Sequence, residues 1–146
     1  MREKIKNELR LEIKACSENE SYARYAVSAF VAQLDPTLEE LSDVRTVVSE
    51  AVTNSVIHGY RGMLDSSPKI YINVKLYEGR RCVIKIRDRG CGIEDIERAM
   101  QPAYTGDPSG ERGGMGFVIM KSFTDSLKVR SAPGRGTSVV MVKRLG

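Results

Sequence analysis

The stretch Val47-Val48-Ser49-Glu50-Ala51-Val52-Thr53-Asn54-Ser55-Val56-Ile57-His58-Gly59-Tyr60 decides how the chain is read. Val48, Ala51, Val52 and Ser55 extend a row begun by Leu41 and Val44, at the spacing of one face of an α-helix. Glu50 and Asn54 lie four apart and His58 four further on, so a continuous helix would set all three on one stripe. That stripe borders the apolar Val48, Ala51, Val52 and Val56 and could face a ligand. By itself, Glu-x-x-x-Asn reads as a polar face turned to solvent. Upstream, Asp35-Pro36 breaks the chain, and Thr37 with Glu40 offers a capping box. The spacing therefore predicts a long, largely buried helix from there toward Gly59.

Working outward, Leu9, Leu11 and Ile13 alternate with charged residues, the period of a strand with one buried face. Ser17-Glu18-Asn19-Glu20 resembles a capping box for a first helix ending near Leu34, with Tyr22, Ala26, Ala29, Phe30 and Gln33 at helical spacing. Beyond the Gly- and Ser-rich 60–68, Lys69–Tyr77 and Arg81–Asp88 read as a β-hairpin across Glu78-Gly79-Arg80. A short helix over 94–100 precedes a loop over 101–114, of a length that is usually functional or disordered. A helix over 116–123 and a closing hairpin, Leu127–Ser131 with Thr137–Val142, complete the order. The expected fold is α+β: one domain over 1–146, a two-layer α/β sandwich with a mixed, mostly antiparallel sheet and its helices on one face.

Composition narrows the function classes. The 146 residues, 41% hydrophobic, suit one core. A net charge of +4 from 23 basic and 19 acidic residues, with no basic block, gives little basis for direct nucleic-acid binding. Cys16, Cys82 and Cys91 are odd in number and lack metal-ligand spacing, as expected of ordinary thiols in a reducing compartment. The charged start, 1–14, resembles neither a signal peptide nor a membrane segment, so a cytoplasmic location without membrane contact is expected.

Two further groups could carry chemistry. Asp88-Arg89-Gly90-Cys91-Gly92 follows an apolar strand, where a carboxylate could accept a hydrogen bond from an exocyclic amine and the glycines could admit a flat heterocycle. A plain turn between strand and helix is the even alternative. Arg112-Gly113-Gly114-Met115-Gly116 ends the long loop and opens a helix, where free amides could meet phosphate oxygens and Arg112 would add charge. An ordinary loop and helix start would read the same way. Neither the Gly-x-x-x-x-Gly-Lys-Ser/Thr loop nor the dinucleotide fingerprint is present.

Taken in series, an acid and amide on a helix, Asp-x-Gly-x-Gly after a strand and a glycine-rich loop before a helix resemble the GHKL ATPase superfamily and its Bergerat ATP-binding fold. Longer strings, Ser17–Arg24, Phe30–Pro36 and Val47–Tyr60, are similar to those of the sporulation anti-sigma F factors, serine kinases within that superfamily. The resemblance implies ATP and Mg2+ as cofactors. It implies that the protein inhibits a sigma factor, phosphorylates a serine of an anti-anti-sigma protein and forms a homodimer.

Residue by residue, the resemblance makes Glu50 the general base and Asn54 the Mg2+ ligand. Asp88 would read the adenine amino group, with Gly90 and Gly92 beside the base. Gly114 and Gly116 would offer amides to the phosphates, Arg112 on the lid would contact the γ-phosphate, and Thr137 would complete the adenine pocket. Glu20 and Arg24 match positions that contact the sigma factor; an intrahelical ion pair, contributing about 0.2 to 0.5 kcal/mol, is the local alternative. His58 is expected to support by hydrogen bonding, not to act as a nucleophile. Lid contacts over 104–110 stay open. Two rival functions are a general-stress anti-sigma kinase and a non-catalytic, ATP-gated module that sequesters a sigma factor. Only turnover requires Glu50.

Overall fold

Alternation along the strands builds the sheet in the computed structural model, which describes residues 3–60, 68–93, 95–100 and 116–146. On β2 (Lys69–Tyr77), Ile70, Ile72, Val74 and Leu76 are buried, and on β3 (Arg81–Asp88), Cys82, Ile84, Ile86 and Asp88. Their neighbours Lys75, Lys85 and Arg87 take the other face, as the period of two requires. With β1 (Ile5–Lys14), β4 (Ser126–Ala132) and β5 (Gly136–Arg144), these strands form a five-stranded sheet in the order β1-β2-β3-β5-β4. Every pairing among them is antiparallel, which sharpens the expected mixed sheet. Register places Ile72 opposite Ile86 and Ile84 opposite Met141, so one face is continuously apolar.

The helical layer covers that face. Ala23, Val27 and Val31 of α1 (Glu18–Val31) share one core with Val44, Val47, Val48, Ala51 and Val52 of α2 (Leu38–Asn54) and with the strand residues. Met120 of α4 (Gly116–Ser122) joins them, while the single turn α3 (Ile96–Ala99) lies between β3 and the undescribed 101–115. This is the two-layer sandwich expected. No helix among the described residues is long and apolar enough to cross a membrane.

Local signals held unevenly. Thr37 caps α2 as expected: its hydroxyl accepts from the Glu40 amide at 3.1 Å and the Glu40 carboxylate accepts from the Thr37 amide at 2.8 Å. The bond from the Thr37 amide, with one from the Gly146 amide, lowers the Glu40 pKa. Ser17 differs from expectation. Its backbone is already helical (φ −62°, ψ −32°), so its hydroxyl makes no cap, and Glu20 donates instead to the Ser17 carbonyl at 3.2 Å. At the β2–β3 turn Arg80 adopts φ 58°, and its guanidinium donates to the carbonyls of Leu34 (3.1 Å) and Asp35 (2.7 Å). It thus satisfies acceptors left open where the first helical segment ends.

Helix α2 also departs from a uniform stripe. After Asn54 the backbone widens into a π-helical turn, Ser55–Gly59. Such turns interrupt the α-helical period. Glu50 and Asn54 keep their α-helical spacing, whereas His58 falls beyond the break, and its side chain lies outside the described residues.

Candidate functional site

The β3 alternation that buries Ile84 and Ile86 carries Asp88 inward as well, leaving it 4% exposed. A carboxylate so placed must find donors or lose its charge. Three are present. Asp88 Oδ1 accepts from the Gly90 amide (2.9 Å) and the Thr137 amide (3.2 Å), and Oδ2 accepts from the Ser55 hydroxyl (2.9 Å). Burial pushes the Asp88 pKa above the ordinary carboxylate range, while these hydrogen bonds pull the other way. A nearly buried acid with coordination to spare, at the end of a strand, can accept a proton donor from a ligand.

Two glycines shape the turn beside it. A Cβ on Gly90 would fall 1.8 Å from the Gly59 carbonyl oxygen, and the Cys91 amide donates to that same oxygen. Gly92 has φ 79°, and a Cβ there would meet the Ala132 carbonyl oxygen at 2.1 Å. Both glycines are therefore required first by the chain's own close approach: Gly90 docks the turn on the end of α2, and Gly92 docks it on the β4–β5 hairpin. Room for a base is a separate matter. Tyr60 fastens the same region: its hydroxyl donates to the Lys69 carbonyl and accepts from the Arg89 amide at 2.9 Å. Burial raises the Tyr60 pKa.

Thr137, singled out as part of the same pocket, does stand beside Asp88. Its hydroxyl lies 2.9 Å from that of Ser131, which also accepts from the Ile93 amide (2.8 Å) and donates to the Gly136 carbonyl (2.9 Å). The β4–β5 hairpin and the turn after β3 are thereby joined around the carboxylate.

Glu50 and Asn54 meet the opening of α4. A Cβ on Gly116 would lie 3.1 Å from Asn54 Nδ2, 3.2 Å from Asn54 Oδ1 and 3.3 Å from Glu50 Oε2. The bare backbone of Gly116 therefore sits against both polar groups. Asn54 is followed by Ser55, so one end of α2 reaches both Asp88 and this carboxylate–amide pair. Arg112 and Gly114 lie outside the described residues, as does the segment 104–110.

Glu20 and Arg24 pair with each other on α1 at 3.2 Å, both partly buried. Arg24 also donates to Ser21 Oγ (3.2 Å) and to Ser49 Oγ on α2 (3.4 Å), while its Nε is buried without a partner. The pair is thus more than a solvated surface contact: it ties α1 to the residue preceding Glu50. The three cysteines are free thiols, and burial pushes the Cys82 pKa up to about 11.

Sequence reasoning passed over Ser55, Gly59, Tyr60 and Ser131. For Ser55 a signal was available, because it is the one polar residue in the apolar row of α2 and a hydroxyl there needs a buried partner. Ser131 and Tyr60 carried no local signal.

A two-layer sandwich with a buried acid at a strand end, facing a helix that carries glutamate and asparagine, defines a class of nucleotide-binding ATPase domain. The family model described as "Histidine kinase-like ATPase domain" matches residues 13–143. Within that family the chain belongs to the anti-sigma F factors. It is 54% identical over 140 residues to the anti-sigma F factor of Pasteuria penetrans, covering 96% of this chain and 92% of that one. Its identity to the Bacillus subtilis anti-sigma F factor is 50% over 141 residues, covering 97% and 94%. Among solved structures, the RsbU and RsbW domains of a Mycobacterium tuberculosis protein share the fold with a TM-score of 0.67 at 17% identity, covering 95% of this chain and 32% of that one. A blue-light-activated histidine kinase of Erythrobacter litoralis does so at 0.58 and 18%, covering 91% and 62%.

Proposed function

We propose that this anti-sigma F family member binds a sigma factor and, with Mg-ATP, phosphorylates a serine of an anti-anti-sigma protein. The observation that carries the nucleotide part is Asp88: a buried carboxylate, held by three donors, with acceptor capacity left for an exocyclic amine. Membership of an ATPase family supplies the reaction class, and the serine acceptor is the finer step proposed here.

Asp88 would accept the adenine amino proton, with Thr137 beside it. Asn54 offers Oδ1, a hard oxygen suited to Mg2+, which commonly needs only one or two protein oxygens when it also binds phosphates. The bound metal would offset charge on the phosphoryl oxygens during in-line transfer. Glu50, close to Gly116 and Asn54, would take the proton from the acceptor serine hydroxyl. Gly114 and Gly116 would direct amides at the phosphates, and Arg112 would neutralise the γ-phosphate. Glu20 and Arg24 would form part of the sigma-binding surface. We further propose a homodimer of single-domain protomers, located in the cytoplasm.

The test is transfer of labelled γ-phosphate from ATP to a purified anti-anti-sigma protein by the wild type and by Glu50→Gln. Loss of transfer with ATP binding kept supports Glu50 as base. If neither protein transfers phosphate while both bind ATP and a sigma factor, the non-catalytic sequestering module replaces the kinase.

A further inference from the structure

Asp88 is clamped from three sides, and one clamp comes from a side chain. Both backbone donors, Gly90 and Thr137, serve Oδ1. Among the described residues, Oδ2 has one hydrogen-bond partner, the Ser55 hydroxyl at 2.9 Å, and Ser55 is itself 5% exposed. Gly59 lies over the flat of the carboxylate: a Cβ there would be 2.9 Å from Oδ2, 3.0 Å from Cγ and 3.2 Å from Oδ1. A carboxylate offers about four acceptor positions. Two are used at Oδ1 and one at Oδ2, which leaves one in-plane position, on the oxygen that Ser55 holds.

We propose that Ser55 is a specificity-determining positioning residue: its hydroxyl fixes Oδ2 of Asp88 as an acceptor and makes the pocket select a purine with a 6-amino group. The inference rests on the reading of Asp88 as the adenine acceptor. With Oδ1 anchored by amides alone, the carboxylate can swing about its Cβ–Cγ bond, and Oδ2 loses its fixed direction. The hydroxyl also favours the ionised form, because it donates. An ionised carboxylate accepts from an amino group and repels the oxo group of a 6-oxo purine, whereas a protonated one could donate to that oxo group. Hydrogen-bonding sites of this kind discriminate strongly, because a mismatched ligand leaves a buried polar group unpaired.

Helix geometry accounts for how Ser55 reaches Asp88, because successive side chains on a helix project about 100° apart and the Ser55 backbone is still α-helical. Asn54 and Ser55 are adjacent, yet Asn54 faces Gly116 while Ser55 points to β3. The end of α2 thereby divides two tasks between neighbouring residues.

The test compares dissociation constants of the full chain for ATP, GTP and purine riboside triphosphate, which lacks any substituent at C6, in wild type and Ser55→Ala. Ser55→Ala is expected to weaken ATP about tenfold, the scale of a hydrogen bond to a charged group. Purine riboside triphosphate should change less than twofold, and the preference for ATP over GTP should shrink. Ser55→Cys, similar in size and a weaker donor, should fall between the two, with thermal unfolding confirming that both variants fold. Equal loss for ATP and purine riboside triphosphate would make Ser55 merely structural, and unchanged ATP affinity would remove its role; either overturns the inference. If the wild type itself binds ATP no better than purine riboside triphosphate, the adenine reading of Asp88 fails, and the inference fails with it.

Discussion

Replacing Asp88 by asparagine exchanges one carboxylate oxygen for an amide nitrogen while keeping the side chain's shape. The amide oxygen can still accept from Gly90 and Thr137, and the Ser55 hydroxyl can rotate to accept from the new NH2 group. Folding should therefore be little affected. Burial already opposes the charged form of Asp88, so removing the charge relieves desolvation while weakening the hydrogen bonds. The two changes oppose each other, and net stability should move by no more than about 1 kcal/mol, or about 2 to 4 °C in Tm. Nucleotide binding should respond quite differently. The variant loses a hydrogen bond to a charged acceptor, about 1.5 to 3 kcal/mol, and sets an NH2 group against the adenine amino group. ATP affinity should fall at least tenfold to a hundredfold. Titration calorimetry with ATP, paired with a thermal scan of the free protein, reads both quantities. Tight ATP binding by a folded Asp88→Asn protein would refute the assignment, and so would a collapse in Tm large enough to explain the lost binding.

The pH dependence follows from the same carboxylate. The folded Asp88 pKa lies above its ordinary value of 3.8, so this group makes the free protein less stable as pH rises through that range, with the penalty fully present above the folded pKa. Under the proposed adenine contact, nucleotide affinity should have the opposite sign: it would require the ionised acid and should be lost as pH falls through the same folded pKa. Calorimetry across that window should show the loss in wild type and a flat, weak affinity in Asp88→Asn. Thr37→Ala removes one bond of the capping box and should cost about 1 kcal/mol, lowering Tm by about 2 to 4 °C without altering ATP affinity; thermal unfolding and calorimetry check both halves.

Much of this architecture was legible because local signals agreed with tertiary demand. Strict alternation over Lys69–Tyr77 and Arg81–Asp88 gave both strands with their bounds. Thr37 and Glu40 form the capping box their spacing predicts. Ser17 shows the limit of such a signal, since the same residue pattern yields no cap once the backbone at the first position is already helical. The π-helical turn was not legible. Nothing in the sequence from Ser55 to Gly59 breaks the α-helical period; the turn lies where Ser55 bonds to Asp88, 33 residues away, and where Gly59 closes on the turn after β3.

The candidate site was legible as residue types and much less as geometry. Only resemblance puts Asp88 and Thr137, 49 residues apart, in one pocket, and the amide bond that joins them depends on β5 pairing beside β3. Gly90 and Gly92 were marked for a ligand, yet each is already demanded by backbone contact within the chain. Glu20 and Arg24 carry a sigma-contacting expectation by resemblance, with an intrahelical ion pair as the local alternative, and the further reach of Arg24 to Ser49 appears only when α1 and α2 pack together.

The most direct test of the account is phosphate transfer from γ-labelled ATP to the serine of a purified anti-anti-sigma protein, measured for wild type and Glu50→Gln at saturating Mg-ATP. The account predicts phosphoserine on the partner with the wild type, and at least a hundredfold slower transfer with Glu50→Gln at unchanged ATP affinity, a loss typical of a missing general base. Equal transfer by the two proteins would contradict the role of Glu50, and no transfer by a wild type that binds ATP would contradict the kinase.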